Sequence, residues 1–226
     1  MTYLIGLYAL LVIHFIYVEI KGKPLYAFFS KGLASFGFMT VFVLSLMGQT
    51  SPHLVIALLF GLGLIAGLLG DLYLALRPLR PDSENIPIIN SGIACFSVGH
   101  IFYVVALLML APLGAIAILI ALFMTALVVI GSKVLKFDMK GAQYPSYLYS
   151  LLIFFMVGQA LHYSLLTGFN THGMLLLVGA LLFGISDLIL APIYFKKDTR
   201  PFMIASNLVT YYAAQVLIAL SVFYLV

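Results

Sequence analysis

Charge is what this sequence has least of. Eleven basic and seven acidic residues are spread over 226 positions, so that 8% of the chain is charged against 64% hydrophobic, with a mean hydropathy of +1.20. Such a chain cannot clothe a water-soluble surface, which excludes the soluble domain classes and leaves an integral membrane protein. A single cysteine, Cys95, excludes an intramolecular disulfide. Several catalytic signatures are missing as well. There is no HExxH and no histidine pair at i, i+4, which weighs against a metal hydrolase. Leu68 stands where an intramembrane aspartyl protease of the G-x-G-D type needs its first glycine, the last apolar segment lacks the lysine of a retinal protein, and no glycine-rich phosphate loop occurs. The net charge of +4 does not point to nucleic acid, because its arrangement is topological.

What is present is a succession of eight apolar segments, each about the 20 residues that a spanning helix needs. Turn and charge signals place them at 2–18, 25–47, 52–76, 88–110, 112–131, 146–167, 172–194 and 202–224, a single transmembrane domain over 1–226. The first segment lacks the small-residue cleavage site of a signal peptide and reads as a helix. Ten of the eleven basic residues fall after odd-numbered segments: Lys21 and Lys23; Arg77 and Arg80; Lys133, Lys136 and Lys140; Lys196, Lys197 and Arg200. The connections after segments two (Gly48 to Ser51), four (around Ala111 and Pro112) and six (Gly168 to Thr171) carry none. The positive-inside rule then sets the odd connections in the cytoplasm and both termini on the other side.

The eleventh basic residue, Lys31, lies about 10 Å into segment two at 1.5 Å per residue, where it either snorkels to the headgroups or meets a partner within the bundle. Two acidic residues are equally misplaced. Asp71 lies roughly 9 Å from the cytoplasmic end of segment three, and Asp187 roughly 13 Å from Lys196. Asn207, Tyr211 and Gln215 form one stripe on segment eight, and Phe96, His100 and Tyr103 share a face of segment four. These depths overlap and predict one cavity in the cytoplasmic half of the bilayer. His14, His53, His162 and His172 read as interfacial or satisfied helix residues rather than ligands. Gly63 and Gly67, one turn apart and one turn before Asp71, give the small-residue surface on which helix backbones pack closely. Gly70–Ala75 (GDLYLA) is echoed 116 residues later by Ser186–Ala191 (SDLILA), the mark of a parallel four-helix repeat that would relate Asp71 to Asp187 by a pseudo-two-fold axis.

An ionisable residue inside a spanning helix is costly and faces protein or a water-filled cavity. Two carboxylates sharing a poorly solvated site can divide their work, one keeping its proton as a general acid while the other stays ionised as base or charge stabiliser. The plainer alternative is that each only hydrogen-bonds a neighbouring helix.

Together, Lys31, Gly70-Asp71, the run Phe96-x-x-Gly99-His100-x-x-Tyr103, Ser186-Asp187-Leu188 and Tyr211-Tyr212-x-x-Gln215 resemble the YhhN-like family of membrane proteins, which includes the lysoplasmalogenases. The resemblance runs in order along essentially the whole chain. The family's Lys-Pro-Leu occurs literally at Lys23–Leu25, whereas Lys31 is followed by Gly32-Leu33; spacing to segment three favours Lys31. The resemblance implies an ether hydrolase that cleaves the vinyl ether of a lysoplasmalogen, with an ethanolamine or choline headgroup, to a fatty aldehyde and the glycerophospho alcohol. It implies no cofactor and no metal. Asp71 is then expected as acid and Asp187 as its ionised partner, with Lys31, His100, Tyr103, Ser186, Asn207, Tyr211 and Gln215 binding substrate or placing water. The substrate would be a lysophospholipid entering from the cytoplasmic leaflet, in what short loops suggest is a bacterial inner membrane. The rival readings are a proton-coupled lipid or solute transporter using the same aspartates, and a hydrolase of another ether or ester lipid.

Overall fold

The structure is a computed structural model that describes residues 2–47 and 53–225. Among these residues there are eight helices long and apolar enough to cross a membrane, and no strand. They are α1 (Thr2–Ile20), α2 (Pro24–Met47), α3 (Leu54–Leu76), α4 (Asn85–Leu110), α5 (Ala115–Val134), α6 (Gln143–Leu166), α7 (Thr171–Phe195) and α8 (Pro201–Ser221). The Gly48–Ser51 connection lies outside the described residues.

The number and order of helices are as the sequence predicts, and the ends differ by up to three residues for local reasons. α4 and α6 begin three residues early, at Asn85 and Gln143, because Pro87 and Pro145 sit in a first turn, where a missing N–H costs nothing. α5 begins three residues late. Its approach is extended at Ala111 and at Gly114 and is held by one side chain on α6: Gln159 accepts from the Gly114 N–H at 3.2 Å and donates to the carbonyls of Ala111 (3.2 Å) and Pro112 (3.0 Å). α5 also ends later than predicted, at Val134, which brings Lys133 into its last turn beside unpaired carbonyls. Asn170 caps α7 by accepting from the Gly173 N–H at 2.7 Å.

Six helices, α2, α3, α4, α6, α7 and α8, close a ring in which each packs on the next; α1 lies outside against α2 and α8, and α5 outside against α6. The adjacency is the one that a four-helix repeat requires. α3 packs on α4 as α7 does on α8, α1 on α2 as α5 on α6, α2 on α3 as α6 on α7, and α8 on α2 as α4 on α6. The contact of α1 with α8 breaks the symmetry, since α4 and α5 scarcely touch. Lipid supplies no hydrophobic drive between helices, so close backbone packing has to hold them. A Cβ at Gly99 would stand 2.9 Å from the Gly63 carbonyl oxygen, and one at Gly158 would stand 2.6 Å from Ala117 Cα. Glycine therefore sets the approach of α3 to α4 and of α5 to α6. The outward faces are large and apolar, as Leu119 and Phe123 on α5 show.

Candidate functional site

Asp71 is 2% exposed, on the inner face of α3, and three side chains from two other helices converge on it. Lys31 Nζ lies 3.3 Å from Oδ1. Oδ2 accepts from Ser35 Oγ and from Tyr211 Oη, each at 2.7 Å. Lys31 and Ser35 are one turn apart on α2, so one helical face delivers both the cation and a hydroxyl. The 12% exposed side chain of Lys31 does not snorkel away; the partner reading of this lysine is the one the geometry supports. Ser35 is in turn 3.1 Å from Tyr212 Oη, and Tyr8 on α1 donates to the Tyr212 carbonyl at 2.7 Å.

Behind Tyr211 the polar chain continues away from the carboxylate. Tyr103 Oη donates to Gln215 Oε1 at 3.2 Å, and Gln215 Nε2 donates to Tyr211 Oη at 2.9 Å. With Gln215 occupying its acceptor side, Tyr211 has its proton free for Asp71. Glycines make the room for this chain: a Cβ at Gly67 would meet Gln215 Nε2 at 2.6 Å, and one at Gly63 would overlap the Tyr103 ring.

Asp187 on α7 is less well provided for. The Tyr149 hydroxyl on α6 is its hydrogen-bonding neighbour, and Asp71 acts on it through space as a second charge. Its Oδ2 is buried and has no hydrogen-bond partner. Beside it, Asn207 Nδ2 donates to the Ser186 carbonyl (2.8 Å) and to Ser186 Oγ (3.0 Å), tying α8 to α7. The sequence echo between the two halves matches this inequality. Counting 115 residues on from Phe96 reaches Tyr211, and counting 116 on from Lys31 reaches Tyr147, so at the corresponding places Asp187 has a phenylalanine and a tyrosine where Asp71 has Tyr211 and Lys31.

Both aspartates line one cavity of about 520 Å³, within the range of small-molecule sites. Lys31, Ser186, Asn207 and Tyr211 line it too, so six of the nine residues singled out in the sequence meet there. The cavity extends to residues of three connections at one end of the bundle, α3–α4, α5–α6 and α7–α8, among them Arg77, Asp82, Met139 and Lys197. His100, Tyr103 and Gln215 do not line it, which corrects the expectation of a single shared wall. Tyr103 and Gln215 stand one layer deeper, behind Tyr211. His100 is packed among the rings of Phe183, Tyr149 and Tyr103 at 4.6–5.8 Å, with Nδ1 2.8 Å from the Phe96 carbonyl and Nε2 unpartnered. Ser35, Tyr149 and Tyr194 are among the wall or partner residues that the sequence did not single out. Ser35 alone carried a signal, its i+4 spacing from Lys31. Among the described residues no group of three or more His, Cys, Asp or Glu is placed to hold a metal ion.

Fold and site define an all-helical, multi-pass membrane protein whose ring of helices encloses a cavity with a buried lysine–aspartate pair and a second, under-partnered aspartate. The sequence model of the YhhN family matches residues 26–222, nearly the whole chain, and the protein belongs to that family. Of the residues that line the cavity, all but Phe15 and Glu19 on α1 and Pro24 at the start of α2 fall within the match. No curated protein and no solved structure matches the chain.

Proposed function

We propose that the protein is a lysoplasmalogenase, an ether hydrolase that cleaves the vinyl ether of a single-chain phospholipid by acid catalysis on Asp187 and Asp71. Family membership and its association with hydrolase activity support the class. The observation that carries the chemistry is the unequal provision of two carboxyls on one cavity. Asp71 accepts from Lys31, Ser35 and Tyr211, a set of donors that suits an ionised carboxylate. Asp187 keeps a buried oxygen without a donor, the condition of a carboxyl that carries its own proton. We therefore assign the acid to Asp187 and the fixed anion to Asp71, the reverse of the order expected from the sequence.

The reaction follows from this assignment. Asp187 gives its proton to the vinyl carbon beta to the ether oxygen, and the pi electrons form the new C–H bond. The oxocarbenium ion left behind is stabilised by the Asp71 carboxylate, as in the oxocarbenium-like states of glycoside cleavage. Water adds to the cationic carbon and returns a proton to Asp187. The hemiacetal then transfers its hydroxyl proton to the glycerol oxygen and breaks into alcohol and aldehyde, so that one water is consumed and the acid is regenerated. Charge bias supports reading the basic connections at the mouth of the cavity as cytoplasmic, with the site toward the cytoplasmic leaflet and the termini outside, and the short loops favour a bacterial inner membrane.

Hydrolysis in deuterated water tests the mechanism. One deuterium at the carbon next to the aldehyde is expected in product quenched before exchange; an aldehyde with no label there would rule out protonation of the vinyl carbon.

A further inference from the structure

The basic residues at the bundle end are not equivalent. Arg80, Lys140 and Arg200 are each answered by a carboxylate close in sequence: Glu84, Asp138 and Asp198. Of the ten basic residues outside the predicted spans, Arg77 and Lys197 are those in the cavity wall, and neither forms an ion pair among the described residues. Arg77 is aimed as well as unpaired. Its guanidinium lies 4.4 Å from the centre of the Tyr194 ring, a cation–π contact that orients it without using its N–H donors. Tyr194 and Lys31 line the same cavity, and Lys31 lies 3.3 Å from Asp71, so the cavity wall holds positive groups both at its mouth and beside the carboxylate.

Lys197 is placed by an unusual backbone. It follows α7 with φ +54°, the left-handed position that closes many helices and that glycine fills without steric cost. The Lys196 and Asp198 N–H groups both return to the Pro192 carbonyl, at 3.0 and 3.2 Å, and fix the turn. A lysine thus occupies a glycine's place and lines the cavity from there. Below this rim the wall is apolar, with Phe28, Ile89, Ile93 and Leu188 among its residues. Glu19 and Asp82 stand in the same wall, so a head group with a second negative charge would meet them.

We propose that Arg77 and Lys197 form a phosphate subsite at the mouth, which holds the phosphodiester of a single-chain lipid while its chain lies along the apolar wall. The subsite rests on the hydrolase reading for its substrate but can be tested without turnover. The probe is a lysophosphatidylcholine with a saturated alkyl ether, which has no vinyl ether to cleave, compared with the alkylglycerol of the same chain, both titrated into protein in nanodiscs. Wild type should bind the phospholipid at least about tenfold more tightly than the alkylglycerol, the scale of one charge-assisted contact. Arg77→Gln and Lys197→Gly should each cut that preference several-fold and leave alkylglycerol affinity unchanged. Lys197→Gly removes the ammonium while giving its turn the residue it favours, so loss through misfolding is not the expected course.

An unchanged preference in both variants would overturn the subsite. Displacement of the lipid by inorganic phosphate at millimolar concentration would also overturn it, in favour of a soluble phosphate ligand. The two readings fail separately: a lost preference in a protein that releases no aldehyde keeps the subsite and removes the hydrolase, whereas aldehyde release with unchanged KM in both variants does the opposite.

Discussion

Replacing Gly67 by alanine adds a single methyl group at a point away from the cavity wall, and it should slow the reaction. The new Cβ would lie 2.6 Å from Gln215 Nε2 and 3.8 Å from Tyr211 Oη. Only the amide is in conflict, and it is the far end of a flexible side chain, so it can swing aside while the backbone stays in place. Alanine is also the better helix former by about 1 kcal/mol, which favours folding. The displaced amide no longer donates to Tyr211 at 2.9 Å, and the phenol is then free to turn its proton from Asp71. A hydrogen bond to a charged group is worth about 1.5–3 kcal/mol, which corresponds to about ten- to hundredfold in kcat if the anion is lost as a transition-state partner. KM should change little, because neither Gly67 nor Gln215 lines the cavity. The assay is aldehyde release at saturating lysoplasmalogen, with Gly6→Ala as control, since a Cβ there has no heavy atom within 4 Å. Gly67→Ala/Gln215→Ala removes the conflict without restoring the hydrogen bond and should be as slow as the single variant. Wild-type kcat in well-folded Gly67→Ala would refute the idea that the Tyr103–Gln215–Tyr211 chain controls Asp71.

Three further outcomes are expected. Lys31→Met and Asp71→Asn should each lower the unfolding midpoint in detergent, by an amount equivalent to about 3–5 kcal/mol for a broken buried pair, whereas the double variant should recover much of the loss. Additive losses would show that the 3.3 Å contact is not a working ion pair. Gln159→Leu removes the three hydrogen bonds that hold the approach to α5 and should destabilise by about 2–4 kcal/mol at roughly 1 kcal/mol each, with kcat/KM unchanged in the folded fraction. Chelator should leave aldehyde release intact if, as proposed, the proton comes from a carboxyl; activity lost to chelator and restored by a metal would require another mechanism.

The deep charges were the most legible part of the site. Asp71, Asp187 and Lys31 stand out because apolar spans contain almost no competitors, and depth along a helix follows from residue count alone. The structure resolved the two readings of Lys31 in favour of a partner. What spacing cannot supply is the layer in which a side chain lies. Tyr103 and Gln215 share depth with Asp71 yet sit behind Tyr211, and His100 is enclosed by aromatic rings; a helical face alone does not separate a wall from the layer behind it. Tyr149 was hidden for a different reason, since tyrosine is ordinary in these helices and nothing local distinguishes the one beside a carboxylate; Ser35 had only its i+4 spacing from Lys31 to mark it among many serines. The glycine ladder was half legible. Gly63 does receive the α4 backbone at Gly99, but Gly67 makes room for an amide and Gly70 for the Phe96 ring, side chains from helices whose positions the sequence did not fix. The helix ends shifted where a proline could sit in a first turn or where Gln159 supplied a cap from a distance.

The central claim is that two unequally provided aspartates perform acid catalysis on a vinyl ether. Its most direct test is aldehyde release from a lysoplasmalogen by the purified wild type, Asp71→Asn and Asp187→Asn, each first shown to be folded. Release by wild type, with loss of at least about a hundredfold in both variants, is what removal of the acid or of the charge partner predicts. Folded wild-type protein that releases no aldehyde from either the ethanolamine or the choline substrate would contradict the account and turn attention to transport through the same cavity.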